Sequence, residues 1–295
     1  MTSEIEYFLN EYGYNEYKLK PTASELEEYY SKIYYQKLTS STYQHTYDQE
    51  ELLYIKNKIE QKFYVVKNIL KLNPIKKFLD VGCGEGFSLK YFAEQGCEIL
   101  GLDYSNHGCD IHNPSLAKNI MTGKIEDNLE KLISNKSTFD IILLDNVLEH
   151  LIDPKKCLNQ LNKILTPNGI LIIEVPNEFS FLQMLALKRD FIPKPFWVSP
   201  PDHLHYFNQS GLAKLCLSAG FTEKYCTLDF PIDINLIHEA ANFKKLPQTG
   251  KAAYRQKIII ENELHSQGIG KTIEFFHNLT KVNIGRVLTS YFTKS

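Results

Sequence analysis

The chain has 295 residues, 43% of them hydrophobic and 23% charged, with a formal net charge of −2. That length accommodates one generous domain or a core with appendages, and the near-neutral balance supplies no global attraction for nucleic acid. The cysteines (Cys83, Cys97, Cys109, Cys157, Cys216 and Cys226) never form a CxxC pair, which argues against a zinc knuckle or a small disulfide scaffold and for reduced, cytosolic thiols.

Met1 to Asn10 contains Glu4 and Glu6 and no apolar core region, so no signal peptide is expected. Residues 1–72 are rich in tyrosine and read as a helical extension or lid. Ser24 with Glu27 forms a capping-box pattern, followed by Leu26, Tyr29, Tyr30 and Ile33 on one helical face. A stronger helix is expected from about Gln49 to Leu72. Its apolar residues Leu52, Ile55, Ile59, Phe63, Val66 and Leu70 step by three or four, and Asn73-Pro74 stops it.

From residue 73 to 235 strands and helices alternate. Strands are expected at Phe78–Val81, Glu98–Leu102, Phe139–Leu144, Ile170–Val175 and Phe221–Leu228. Helices are expected at Phe87–Gln95, Lys155–Leu165, about Phe179–Lys188 and Gln209–Ala219. This alternation predicts an α/β, Rossmann-like, doubly wound sheet with helices on both faces. Residues 236–283 read as a helical insertion, and 284–295 as the last core strand, Arg286–Phe292. The longest apolar runs (Ile141 to Leu144, Ile170 to Ile173) are strand-sized, far short of the roughly 20 residues a membrane span needs. A soluble, cytoplasmic protein is expected.

The informative stretch is Leu79-Asp-Val-Gly-Cys-Gly-Glu-Gly86. A strand ends at Val81 and a helix starts near Gly86, so the loop lies at the carboxyl end of a parallel strand, where doubly wound sheets bind ligands. Glycines let the backbone turn sharply and approach a ligand, and the helix start offers N–H groups to an anionic or polar group. Asp103 ends the next strand and can accept two hydrogen bonds from a ribose diol. Loop and acid together indicate an adenosine-containing ligand. A dinucleotide fingerprint would need glycine at position 87, which is Phe87, so a nicotinamide-dependent dehydrogenase is disfavoured.

The run Phe78-Leu-Asp-Val-Gly-Cys-Gly-Glu-Gly86 resembles the first motif of class I S-adenosylmethionine-dependent methyltransferases. Gly101-Leu-Asp-Tyr-Ser105 resembles the second. Phe139 to Leu151 is similar to the fourth-strand motif and Leu165 to Pro176 to the fifth. The ubiquinone-biosynthesis-like branch (methyltransferase types 11 and 23) is the nearest resemblance, over about residues 76–230. It implies a seven-stranded sheet with an antiparallel last hairpin, here Phe221–Leu228 with Arg286–Phe292. It implies that Asp80, Gly82, Cys83, Gly84 and Gly86 line the methionine and ribose portion. Asp103 would hold the ribose hydroxyls, Tyr104 would cover the adenine and Ile125 with Glu126 would border it. Asp145, Asn146 and Val147 would run beneath the methionine moiety.

Transfer to a hydroxyl usually needs a base, for which histidine is suited. His150 follows the fourth strand. His203 and His205 follow a proline-rich loop and would share one side of an extended segment. All three are candidate catalytic residues. Some relatives group acids and histidine as a metal site at the fourth-strand motif. Its first position here is Asn146, a poor ligand, so no required metal is expected. His107-Gly-Cys-Asp-Ile-His112 looks metal-like but lacks partners of zinc spacing and reads as a loop. Gly268-Ile-Gly-Lys-Thr272 suggests a P-loop, but His265 stands where glycine is required.

The expected function is S-adenosylmethionine-dependent methylation of a small polar metabolite, a hydroxyl of a sugar or nucleotide-linked sugar. The alternatives are a quinone or lipid-precursor O- or C-methyltransferase and a non-catalytic cofactor-binding protein. The expected partner is a small-molecule acceptor, with no nucleic acid and no membrane span, and association into a homo-oligomer stays open.

Overall fold

The computed structural model describes residues 7–22, 25 and 46–295. The expected capping box at Ser24 and the helical face around Tyr29 lie outside the described residues.

The centre is a seven-stranded sheet. In chain order its strands are β3 (Lys77–Val81), β4 (Glu98–Asp103), β5 (Ile120–Thr122), β6 (Phe139–Asp145), β7 (Leu165–Pro176), β9 (Phe221–Leu228) and β10 (Val287–Lys294). Their spatial order is β5-β4-β3-β6-β7-β10-β9. β3 to β7 pair in parallel, whereas β10 runs antiparallel to both β7 and β9. The doubly wound sheet and the expected pairing of Phe221–Leu228 with the last strand are both found. The order reverses between β3 and β6, and at that switch point the carboxyl ends of the strands open a crevice.

Strand alternation sorts the core onto two faces. Leu79, Val81, Ile142, Leu144, Leu171 and Ile173 share one cluster with helices α4 (Ile125–Ser134), α5 (Pro154–Ile164) and α7 (Gln209–Ser218). Phe78, Ile141, Leu143, Ile170 and Ile172 share the other with α1 (Gln49–Tyr64) and α2 (Phe87–Glu94). Both faces are apolar because a parallel sheet is covered on both sides.

α1 starts at Asp48, whose side chain accepts from the Glu50 and Glu51 amides while the Glu51 carboxylate accepts from the Asp48 amide, a reciprocal cap. The helix continues as a π-turn over Val65–Ile69 and is stopped before Pro74. Its buried face differs from the expected one. Leu52 is 42% exposed while Lys62 is buried, because part of the inward face borders a charged crevice rather than core.

The N-terminal segment also differs from the helical expectation. β1 (Tyr7–Leu9) and β2 (Asn15–Tyr17) form a hairpin that pairs with β8 (His205–Tyr206). Asn10 sets the turn by accepting from the Tyr12 and Tyr14 amides, and Gly13 sits at φ 86°, a local chemistry that outcompetes helix. Tyr14 is buried against Phe207.

Between β9 and β10 the chain forms α8 (Gly250–Ser266) and α9 (Ile269–Thr280). α8 packs on α1 and so closes one side of the crevice. Among the described residues no helix is long and apolar enough to cross a membrane.

Candidate active site

The glycine loop follows β3. Gly82, Gly84 and Gly86 all have positive φ, at 77°, 48° and 77°, conformations that L side chains adopt at a cost. The requirement is strictest at Gly82, where an added Cβ would overlap the Val147 side chain. The Gly82 and Cys83 amides donate to the Leu102 carbonyl at 2.7 and 3.1 Å, tying the loop to β4. Asp103, at the end of β4, accepts from the Gly84 amide at 2.8 Å and the Ser105 amide at 3.2 Å.

The loop is one wall of a cavity of about 650 Å³. Every residue expected at the cofactor lines it: Asp80, Gly82, Cys83, Gly84, Gly86, Asp103, Tyr104, Ile125, Glu126, Asp145, Asn146 and Val147. Glu85 anchors a further contact, accepting from the Tyr47 hydroxyl at 2.7 Å.

The cavity floor is acidic. Burial pushes the Asp80 carboxyl well up, reinforced by the charges of Asp145 and Asp103. Lys62, from α1, lies 2.9 Å from Asp145 and 3.0 Å from Glu174 on β7. Burial alone would raise Glu174, but Lys62, Lys58 and the Thr289 hydroxyl bring it down to about 2. Asp145 stays raised, by burial and by the charge of Glu174. One lysine therefore serves two carboxylates and favours the anion on Glu174.

On the same cavity, β6 leads into a short 3-10 turn, Leu148–His150. His150 lines the cavity. Its Nδ1 lies 2.7 Å from the Asp202 carbonyl oxygen and its Nε2 3.7 Å from Glu149 Oε1. Burial, then the neighbouring His203, lowers its pKa to about 4. The His203 ring is centred 5.1 Å away, and its Nδ1 donates to Glu178 at 2.9 Å. Burial alone would lower His203, but Glu178 raises it to about 9. Glu149 is pushed to about 8 by burial.

His205 does not join this group. It is 1% exposed, its Nε2 donates to the Leu151 carbonyl at 2.9 Å, and its Nδ1 lies 3.4 Å from the Tyr14 hydroxyl. It sits in β8 and is not among the residues lining the cavity. The histidine alternation predicted a shared side. Instead β8 takes His205 into the small sheet and away from His150 and the cavity lining.

Glu149, His150 and His203 offer ligand atoms within 4.8 Å of one another, an arrangement able to hold a metal ion. The sequence showed only the first two. His203 reaches them through a loop 53 positions away from His150, which no local spacing reveals. At neutral pH the raised values of Glu149 and His203 leave both protonated, so a cation would have to displace two protons.

His107 to His112 forms a short helix, α3, rather than the expected loop. Gly268 to Thr272 opens α9, where the Thr272 hydroxyl donates to the Leu264 carbonyl at 2.6 Å. No strand precedes it, as a P-loop requires. Tyr54, Lys58, Lys62, Glu174, Tyr254 and Lys257 also line the cavity and were not singled out from the sequence. Tyr54, Lys58 and Lys62 recur every four residues on α1, a polar line inside an apolar pattern that could have marked them.

The family described as a methyltransferase domain matches residues 54–223. An O-methyltransferase of ubiquinone biosynthesis from Bartonella tribocorum is 29% identical over 136 residues, covering 45% of this chain and 54% of that protein. A probable S-adenosylmethionine-dependent methyltransferase from Mycolicibacterium smegmatis is 27% identical over 144 residues, covering 48% of this chain and 51% of that protein. The solved structure of a SAM-dependent methyltransferase from Archaeoglobus fulgidus superimposes with a TM-score of 0.49 at 17% identity, covering 81% of this chain and 94% of that one. The chain thus spans about half the length of these two curated relatives.

Proposed function

The chain belongs to the methyltransferase-domain family, and on that premise we propose that it transfers a methyl group from S-adenosylmethionine to a hydroxyl of a small-molecule acceptor. The observation that carries this reading is one cavity lined by the glycine loop, Asp103 and His150 together.

The residues fit the cofactor. Asp103 accepts the ribose hydroxyls, and the glycine loop lets the methionine portion approach backbone. Asp80 is buried among other acids, so a ligand carrying positive charge favours its carboxylate form. When bound, S-adenosylmethionine supplies an electrophilic methyl group on a sulfonium. The chain aligns the acceptor oxygen in the same cavity, which can itself supply much of the rate. His150 Nε2 takes the hydroxyl proton while its Nδ1–H stays on the Asp202 carbonyl. This route requires no metal at Glu149, His150 and His203. Loss of turnover on chelation, restored by added magnesium or zinc, would replace the base by a cation.

Among acceptors, a quinone precursor is favoured by the relatives named for ubiquinone biosynthesis. The sugar or nucleotide-linked sugar expected from the sequence ranks second. It rested in part on the histidine- and tyrosine-bearing Asp202–Phe207 segment, in which His205 and Tyr206 are buried and serve packing. The thiols are unpaired and buried, which supports a reducing, cytoplasmic setting. The test is methyl transfer, read by mass spectrometry, across a panel of phenolic quinone precursors and nucleotide sugars. Turnover on the sugars alone would reverse the ranking, and turnover on neither would favour a non-catalytic cofactor-binding protein.

A further inference from the structure

The cavity extends past the cofactor residues to a wall made by two helices outside the sheet. Tyr54, Lys58 and Lys62 lie on one face of α1, four residues apart, and α8 contributes Tyr254 and Lys257. At 1.5 Å rise per residue, Lys58 stands about 6 Å along the helix from Lys62, and Tyr54 about 12 Å. Lys58 and Tyr54 therefore stand about one and two turns along α1 from the Lys62 that contacts Asp145.

The three lysines are not equivalent. Lys62 is held between Asp145 and Glu174, which themselves line the cavity, so that part of the wall is neutralised. Lys58 pairs with Glu261 at 3.2 Å, and Lys257 pairs with Asp229 and lies 3.9 Å from Glu261. These two acids are 1% and 2% exposed and are not among the lining residues. They are anchored from behind, where Glu261 accepts from the Phe230 amide and Asp229 from the Arg286 and Val287 amides. Both lysines thus line the cavity while their counterions do not. Each ammonium has three donors, more than these contacts use. Lys257 Nζ also stands 5.8 Å above the Tyr54 ring.

A purely structural role explains these pairs less well. Burying an ammonium carries a desolvation penalty of several kcal/mol, and a well-packed apolar residue often serves stability equally. Two such groups on a cavity wall, flanked by two phenols, match the recognition of an oxyanion.

We propose that Lys58 and Lys257, with the Tyr54 and Tyr254 hydroxyls, form an anion subsite that holds a carboxylate or phosphate carried by the acceptor. The assignment rests on the methyltransferase reading, since it places the acceptor in the cavity beyond the cofactor. It makes the acceptor an anionic hydroxyl compound rather than a neutral one.

The test is calorimetric titration of the protein saturated with S-adenosylhomocysteine, using benzoate, phenyl phosphate and neutral benzamide as probes. At least one anion should bind about 10- to 100-fold more tightly than benzamide, the range of a charge-assisted hydrogen bond. Which anion it is separates a carboxylate from a phosphate. In Lys58→Gln and Lys257→Gln that preference should fall about tenfold, with S-adenosylhomocysteine affinity retained. Equal binding of all three probes to the native protein overturns the proposal, as does an undiminished preference in both variants. Should a variant fail to fold, the native comparison still decides. If S-adenosylhomocysteine itself does not bind, the methyltransferase reading fails separately, and the probe preference of the free protein still judges the subsite.

Discussion

His150 Nδ1 lies 2.7 Å from the carbonyl oxygen of Asp202. A carbonyl only accepts, so Nδ1 carries the proton and the lone pair is on Nε2. With its pKa lowered to about 4, the ring is neutral throughout the physiological range. A fixed, neutral imidazole on the cavity wall has the form of a general base.

His150→Gln should therefore lower kcat by about 10²- to 10⁴-fold, the usual contribution of such a base. Affinity for S-adenosylhomocysteine should stay close to native. Steady-state kinetics beside calorimetry checks both, and an unchanged kcat would remove His150 from the chemistry.

Asp103 holds the Gly84 and Ser105 amides and faces the expected ribose. Asp103→Asn replaces one acceptor oxygen by a donor and removes the charge. Cofactor binding should weaken about 10- to 100-fold, corresponding to roughly 1.5–3 kcal/mol for a hydrogen bond to a charged group. Calorimetric Kd values for the two proteins measure it.

Lys62→Met leaves the buried Glu174 and the half-buried Asp145 without their shared cation. Removing one partner of a buried pair costs about 3–5 kcal/mol. The pH dependence follows from Glu174, held at about 2 in the folded protein against an ordinary 4.5. A depressed carboxyl contributes stability that is present above 4.5 and is lost as pH falls through 2. The variant lacks that contribution, so its Tm deficit should be largest near neutrality and shrink towards pH 3. Thermal melts of both proteins across that range check the trend.

Gly82→Ala must hold a left-handed backbone and crowd Val147. A left-handed alanine costs roughly 1–2 kcal/mol, and overpacking about 1–3 kcal/mol more. Adding Val147→Ala removes the overlapping methyl but not the backbone strain. The double variant should recover part of the lost Tm, and no recovery would mean that the conformation alone sets the penalty.

The sheet was legible in the sequence because parallel strands buried on both faces are short apolar runs, such as Ile141 to Leu144. The cofactor wall was legible because glycine at 82, 84 and 86 and acid at 103 answer local requirements of one loop. The rest depends on what folding brings together. Nothing in the apolar pattern of α1 marks Lys62 as buried, and only the approach of Asp145 and Glu174 from two strands explains its burial. His205 looked equivalent to His203 until its pairing in β8 separated them. Asn10 and Gly13 carried a turn signal that the tyrosine-rich context obscured.

The methyltransferase reading requires that this cavity bind S-adenosylmethionine. Calorimetric titration of the purified protein with S-adenosylmethionine, S-adenosylhomocysteine and NAD tests it most directly. Micromolar binding of the two sulfur ligands and none of NAD is expected. Binding of NAD in their place would contradict that reading and show that the glycine loop serves a dinucleotide.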